Sequence, residues 1–415
     1  MFASLSVPNY RKYFSGALVS NIGTWVSRIA QDWLVLTILT NNSAVALGLI
    51  TTIQFIWVPL LSPWTGTVAD RFPKRRVMLV TQSIMLLTSL TLALLTITGH
   101  ITLWEVYGLA ALQGMAMAFD GPARMTLASE MVPPDQIMNA VSLNSASFNT
   151  GRLIGPALGG LIIAQWSVGV GMLVNSASFL AVLVALLSLN VDEMHPSAPR
   201  RGSGALKEAV LYLKGRPDLQ LIMATIFCLT MFAMNFQVTN ALMATSAFGK
   251  GATAYGLLGS MLAIGSLTGA LLNARRTVPK LSTLLIAMTS LAVCTMLMAV
   301  APSYWIFALV LIPSGLASMT ALTTSNSTVQ LTCDPAMRGR VMALYMAINQ
   351  GSAPIGAMLI GVIAEHLGVR YALGLASIVV LLAAAVSSLV VRRRGMDTPA
   401  EPALDPAALP DETPA

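Results

Sequence analysis

Arg28 and Asp32 stand four residues apart in an otherwise apolar stretch, a spacing that on a helix puts both on one face and lets them pair. Charges so deep in an apolar segment are costly unless they face an interior, and Asn21 and Trp25 fall on roughly the same face. Asp32 is the best single candidate for a protonatable carboxylate. Burial disfavours its charge and a nearby Arg28 favours it, so cavity closure or an arriving substrate can switch it. The competing reading is a permanent structural pair between Arg28 and Asp32. Asn235 and Gln350 are placed in the same cavity by rough symmetry with Arg28 and Arg152, and Gln113 is a further cavity candidate. Most other amides within the apolar runs are expected to be interhelical glue.

The elements that must position these groups follow from composition. Of 415 residues, 55% are hydrophobic and only 10% charged, against roughly 25% charged in a soluble domain. An ordinary soluble enzyme is excluded. Uncharged runs cover 33–69, 77–104, 153–191, 219–249, 251–274, 281–333, 341–364 and 371–391, each long enough to cross a bilayer at about 20 residues per helix. Breaks at polar residues, glycine and proline predict twelve spans: 13–40, 44–69, 77–98, 103–123, 140–164 and 168–190, then 219–244, 254–274, 281–300, 304–326, 340–366 and 369–391. The fold class is an all-α polytopic membrane protein in two pseudo-symmetric six-helix halves. The alternating short strands of a membrane barrel are not in the pattern. Cys228, Cys294 and Cys333 lie far apart and read as reduced packing residues. The first apolar run lacks a clear cleavage site and reads as a retained span.

Four regions result: a first half over 1–190, a charged linker over 191–218 with a short helix at Leu206–Leu213, a second half over 219–391, and a proline-rich tail over 392–415 expected to be disordered. Orientation follows from the basic residues, which are retained on the cytoplasmic side. With the amino terminus inside, 20 of the 24 basic residues fall on that side, against Lys250 and Arg370 outside and Arg28 and Arg152 within spans. Both termini are therefore expected to be cytoplasmic. The net charge of +7 reflects this bias and gives no reason to expect nucleic acid.

The halves repeat weakly. Gly66-Thr-Val-Ala-Asp70 ends span two and Gly269-Ala-Leu-Leu-Asn273 ends span eight, each before a basic loop. Gly155, Pro156, Gly159 and Gly160 of span five have a looser counterpart in Gly351, Pro354, Gly356 and Gly361 of span eleven. Such repeats mark alternating-access transporters with a site between the halves. The segment from Gly66 through Asp70, Arg71, Lys74, Arg75 and Arg76 resembles the cytoplasmic loop motif of the major facilitator superfamily, and Gly151-Arg152-Leu-Ile-Gly155-Pro156-Ala-Leu-Gly159-Gly160 resembles the fifth-span motif of its drug/proton antiporters. Ala30-Gln-Asp32-Trp-Leu34 and Phe119-Asp120-Gly-Pro122-Ala-Arg124 are similar to the twelve-span branch containing the enterobactin exporters. Two departures stand out: Ala110 replaces a span-four arginine common in antiporters, and Pro73 replaces a glycine of the loop motif.

The resemblance implies a cytoplasmic latch in which Asp70 faces the amino terminus of span eleven and pairs with a cation such as Arg124. Gly66 belongs to the same motif, and Arg71 and Arg75 add cross-loop contacts. It further implies that Gly151, Gly155, Pro156, Gly159 and Gly160 act by packing, with Arg152 in either a snorkelling or a transport role. Asp120, Glu105 and Glu365 read as interface or latch groups, and the 24 methionines tilt toward broad specificity. His100, His195 and His366 show no metal-ligand spacing and no P-loop is present, so an enzyme and an ATP-driven pump are both disfavoured. The expected function is proton-coupled efflux of amphipathic drugs or siderophore-like metabolites from the bacterial cytoplasmic membrane. It needs no cofactor beyond the proton gradient, and the expected partners are a small-molecule substrate and the lipid bilayer, with the chain a monomer. An importer of a small nutrient, or a non-transporting receptor or scaffold, are the alternatives on the same fold.

Overall fold

Apolar residues run so nearly unbroken that helix ends are set by caps, prolines and glycines. The computed structural model describes residues 3–194, 205–274, 280–335 and 337–394, without the side chains at 63, 66, 67, 69, 70, 205–207 and 394. The first half holds α1 (Pro8–Trp33, continued by a π-helical turn Leu34–Leu39), α2 (Ala44–Phe55) with α3 (Trp57–Arg71), α4 (Lys74–Ile97), α5 (Leu103–Glu130), α6 (Ile137–Gln165) and α7 (Val168–Leu187). A short linker helix, α8 (Ala205–Lys214), leads to α9 (Pro217–Cys228) and α10 (Phe236–Leu242), which together form the seventh span. Then follow α11 (Ala252–Ala274), α12 (Leu281–Ala299), α13 (Tyr304–Thr332), α14 (Arg338–Leu367) and α15 (Val369–Arg394). Among the described residues nine of the twelve spans are long and apolar enough to cross a membrane by length and composition, α1, α5 and α6 being the other three.

One end of the bundle carries the basic loops; the other is built of tight turns. At this second end Ser43, Ser167 and Ser303 cap α2, α7 and α13, and Thr102 with Glu105 forms a capping box on α5. Asn42, Gly99, Gly249 and Gly368 turn the chain there with positive φ. At the basic end several helices overrun their expected limits. The fourth span was expected to stop at 123 but continues to Glu130, because Ala123, Leu127 and Ala128 pack with Tyr10 and Tyr13 of α1. The second span, expected to be continuous, breaks at Ile56, where Pro59 has no N–H to give the carbonyl of Phe55.

The helices approach closely through glycine. A Cβ at Gly151 would meet Asn21, one at Gly155 would meet Trp25 and Ile22, and one at Gly159 would meet Val26, so three residues of the fifth-span motif form the bed on which α1 lies. Gly160 faces Ala252, and Gly256 faces the carbonyl of Pro156, which brings α6 against α11 of the other half. Gly48 against Ala357 and Gly361 against Ala44 do the same for α2 and α14. The linker helix docks on the second half: Arg340 pairs with Glu208 at 2.6 Å, and Arg216 bridges Asp218, Tyr212 and the carbonyl of Thr332. The expected tail falls outside the described residues beyond Arg394.

The seam between the halves is closed at the end away from the basic loops. There Glu365 at the end of α14 accepts from Ser43 Oγ at 3.2 Å and from the backbone N–H groups of Ala44 and Val45 at 2.5 and 3.1 Å. A carboxylate of one half thus caps the amino terminus of a helix in the other, where the dipole favours an anion. The contact is exposed, and its loss costs about 1 kcal/mol. Glu365→Ala should therefore raise the population open at this end by roughly fivefold, read as a longer distance component between spin labels at Asn41→Cys and Leu367→Cys. An unchanged distance distribution would remove Glu365 from the closure.

Candidate functional site

The site is built where α1 meets the seventh span and α11. The seventh span comes apart at Met234 and Asn235, and Asn235 Nδ2 donates at 2.7 Å to the carbonyl of Met231. Gly356 of α14 lies against the same carbonyl, leaving room for the break. Helix restarts at Phe236, and the break aims Gln237 at α1. There Gln237 Nε2 donates to both oxygens of Asp32, at 3.1 and 3.0 Å, and Tyr255 Oη of α11 donates to Asp32 Oδ2 at 2.5 Å. Asp32 is only 2% exposed. All three bonds cross between the halves.

Arg28 is placed differently from the pairing that its spacing allows. Among the described residues it forms no ion pair; its guanidinium lies over the rings of Trp25 and Phe55, at 4.8 and 4.9 Å from their centroids. The permanent Arg28–Asp32 pair is thus not the arrangement in this conformation, because Tyr255 and Gln237 already fill the carboxylate. Arg28, Asp32, Arg152, Asn235, Gln237, Tyr255 and Gln350 line one chamber of about 250 Å³ between the halves, with Phe55, Phe236, Met234 and Leu262 as apolar walls. A second chamber, of about 270 Å³, shares Trp25 and Arg28 with the first and runs along α5 past Gln113 and Met117 to Asp120 and Arg124. In this second chamber Gln54 Nε2 donates to Gln31 Oε1 at 2.7 Å.

The loop-motif residues scatter. The side chains of Gly66 and Asp70 lie outside the described residues. Arg124 pairs with Asp120 four residues earlier, by Nε and by Nη2, each at 2.9 Å, while its expected pairing with Asp70 falls on a side chain outside the described residues. The same carboxylate accepts from Thr81 and Gln82 at 2.9 and 2.8 Å, so α4 and α5 are joined by a buried polar cluster. Arg75, expected to reach across the loop, donates to the carbonyls of Leu186 and Leu187 at the end of α7 within its own half. Lys74 pairs with Glu130 at 3.5 Å, and Arg71 is exposed. Tyr255 was missed in the sequence because a lone tyrosine in an apolar run gives no signal, and Gln237 was grouped with the interhelical amides. The four-residue spacing of Asp120 and Arg124 is the signal by which the sequence could have shown this pair.

Two consequences can be measured. Tyr255→Phe and Asp32→Asn, alone and combined, should show a coupling of about 1.5–3 kcal/mol in a double-mutant cycle on thermal unfolding in detergent, the range for a hydrogen bond to a charged group. Additive losses would mean the bond contributes nothing. Asp120→Ala leaves Arg124 buried without its anion and should cost about 3–5 kcal/mol. Asp120→Asn combined with Arg124→Gln should recover much of that loss, measured the same way.

With the geometry in place, comparison with known proteins adds three findings. A family model described as transmembrane secretion effector matches residues 1–410. The staphyloferrin A transporter of Staphylococcus aureus is 27% identical, with the match covering 86% of this chain and 90% of that protein. The multidrug efflux pump Tap of Mycolicibacterium fortuitum is 26% identical over 93% of this chain and 96% of its own. In fold, the chain is similar to a bacterial homologue of the human lysosomal transporter Spinster solved in an inward-facing, unoccupied conformation: TM-score 0.73, 14% identity, 95% of this chain and 99% of that one. A D-xylose–proton symporter is also similar, at TM-score 0.70 and 13% identity over 92% and 97% of the two chains.

Proposed function

The chain belongs to the transmembrane secretion effector family of the major facilitator superfamily, and from that premise we propose that it is a proton-coupled efflux antiporter for amphipathic small molecules. It is a transporter and not an enzyme. The two halves, 1–190 and 219–391, act as a single chain and rock about the chambers between them. The staphyloferrin A transporter and the multidrug pump among its relatives support export of compounds of this class. Setting the basic loops toward the bacterial cytoplasm, as the charge bias favours, makes the closed end periplasmic and the conformation inward-open.

One observation carries the coupling: the carboxylate of Asp32 is held by Tyr255 and Gln237, which belong to the other half. Acceptance of three hydrogen bonds by its two oxygens is the pattern of an ionised carboxylate. Opening the periplasmic end draws α10 and α11 away from α1 and strips Asp32 of these donors. A buried anion that has lost these donors is less well satisfied, and in that state Asp32 takes a proton from the outside. Return to the inward-open state restores the donors and releases that proton to the cytoplasm. The charged and polar groups that share the chamber with Asp32 are Tyr255 from α11, Gln237 and Asn240 from α10, Asn235 at the break, Arg28 from its own helix, Thr51 from α2, Arg152 from α6 and Gln350 from α14. Ala110, where many antiporters carry arginine, leaves this role to Asp32.

Energised efflux from cells tests the reading, using dyes and antibiotics of varied charge with surface expression matched. The wild type should lose efflux with a protonophore, and Asp32→Asn should lower it by roughly tenfold or more, about 1.4 kcal/mol of coupling or greater. Asp70→Asn should slow the cycle without abolishing its dependence on the gradient. Full protonophore-sensitive efflux by Asp32→Asn would remove that residue from coupling. Gradient-driven uptake in place of efflux would reverse the direction.

A further inference from the structure

The chamber that holds Asp32 is lined by two guanidinium groups, and among the described residues neither forms an ion pair. Arg28 rests on aromatic faces, and Arg152 of α6 makes no hydrogen bond or ion pair among the described residues, yet both line the same space between the halves. The only carboxylate lining that space is Asp32, which is already satisfied by Tyr255 and Gln237. In the adjoining chamber the charge of Arg124 is answered by Asp120. Two cations left facing one cavity inside a membrane repel each other and are costly unless something negative joins them. The buried amides of Gln31 and Asn240 each keep an unused hydrogen-bonding atom beside these chambers. Around them stand the rings of Trp25, Phe55, Phe148 and Phe236.

We propose that the cargo is an amphipathic organic acid whose anionic group docks between Arg28 and Arg152 while its apolar body lies against the aromatic walls. This rests on the exporter reading and deepens it by naming the charge of the substrate. Guanidinium groups suit the task, since their planar forks match a carboxylate with two parallel hydrogen bonds. A cationic drug, by contrast, would enter a chamber whose cations outnumber its carboxylate.

The same arrangement explains how an acid can be exchanged for a proton. In the conformation described here Tyr255 and Gln237 occupy Asp32, so Arg28 is free for cargo although Asp32 is ionised. When the periplasmic end opens and Asp32 loses those donors, Arg28 is the cation on its own helix face, four residues away. Asp32 then draws Arg28 from the cargo, and the acid is released outside. A proton arriving on Asp32 frees Arg28 again for the return. Arg28 is thus shared in turn by the cargo and by Asp32, and loss of acid and gain of proton occur in the same outward-facing state.

Titration calorimetry on the purified full chain tests this with four probes that share one naphthyl body and end in a carboxylate, a dicarboxylate, a primary amide or a quaternary ammonium. The acids should bind at least about tenfold more tightly than the amide, and the ammonium most weakly. Arg28→Gln and Arg152→Gln should lose about tenfold more affinity for the carboxylate than for the amide. Arg152→Glu should turn the preference toward the ammonium, a gain that misfolding cannot produce. Equal affinity across the set, preference of the wild type for the ammonium, or no binding of either acid overturns the proposal. Proteoliposome transport separates it from the exporter reading. Proton-driven export of the ammonium probe alone keeps the exporter and removes the acid cargo. Acid binding at Arg28 and Arg152 without gradient-driven movement keeps the acid site and removes the exporter.

Discussion

An anion buried beneath a moving seam must find its hydrogen bonds somewhere, and among the described residues the carboxylate of Asp32 finds them across that seam. Both donors, Tyr255 and Gln237, belong to the second half, whereas Asp32 sits on the first helix of the chain. Closure of the end away from the basic loops and satisfaction of the carboxylate are therefore one event. Leaving such a group unpaired costs several kcal/mol, which is of the order of the gap a carrier can hold between two conformations and still cross readily. A proton on Asp32 removes that penalty. The break at Asn235, which looks like a defect in a helix, is what lets a side chain of the seventh span point at the first.

Placing these donors within about 3 Å of one carboxylate requires backbones to meet at short range, and glycine supplies the approach. The stripe Gly151, Gly155, Gly159 lets α1 lie directly on α6, which fixes the face of α1 that carries Trp25, Arg28 and Asp32. One residue further, Gly160 turns the same helix to α11, which carries Tyr255. The fifth-span motif thus sets the distance between the carboxylate and its donor without touching either. Any side chain in that stripe pushes α1 off α6, and one at Gly160 pushes the two halves apart at the contact with Ala252. Gly256 of α11 in turn meets the carbonyl of Pro156 at close range.

The helical plan was readable because uncharged runs in a bilayer admit almost no other structure, and the basic residues fall on alternate loops. The chemistry was readable to the extent that it was charged: Arg28, Asp32 and Arg152 stand out against an apolar background, and all three line the inter-half chamber. Their partners were not readable. Tyr255 and Gln237 lie more than 200 residues from Asp32 and are of types that pack into any membrane helix. The Arg28–Asp32 pair and the Asp120–Arg124 pair have the same spacing, yet only the second forms here. Local geometry allows both, and the outcome is decided by whether a third helix brings better donors.

The three spans whose composition falls short of an ordinary membrane helix are α1, α5 and α6, and these carry the charged residues that line the two chambers. Each polar residue added to such a helix makes its insertion into lipid harder and its place in the bundle more useful. The conflict is resolved by where the helices sit. Strongly apolar neighbours such as α4 and α7 shelter them: α5 packs on α4, and α1 packs on both α6 and α7. Low hydropathy in a membrane span is thus itself a sign of position: a helix that lipid would reject is held inside by the bundle, facing the space where the substrate passes. By that logic the first half carries most of the chamber's fixed charge, while the second contributes neutral donors and apolar walls. In the proposed cycle, proton binding and cargo binding are sensed on the first half and transmitted to the second through the bonds that cross at Asp32.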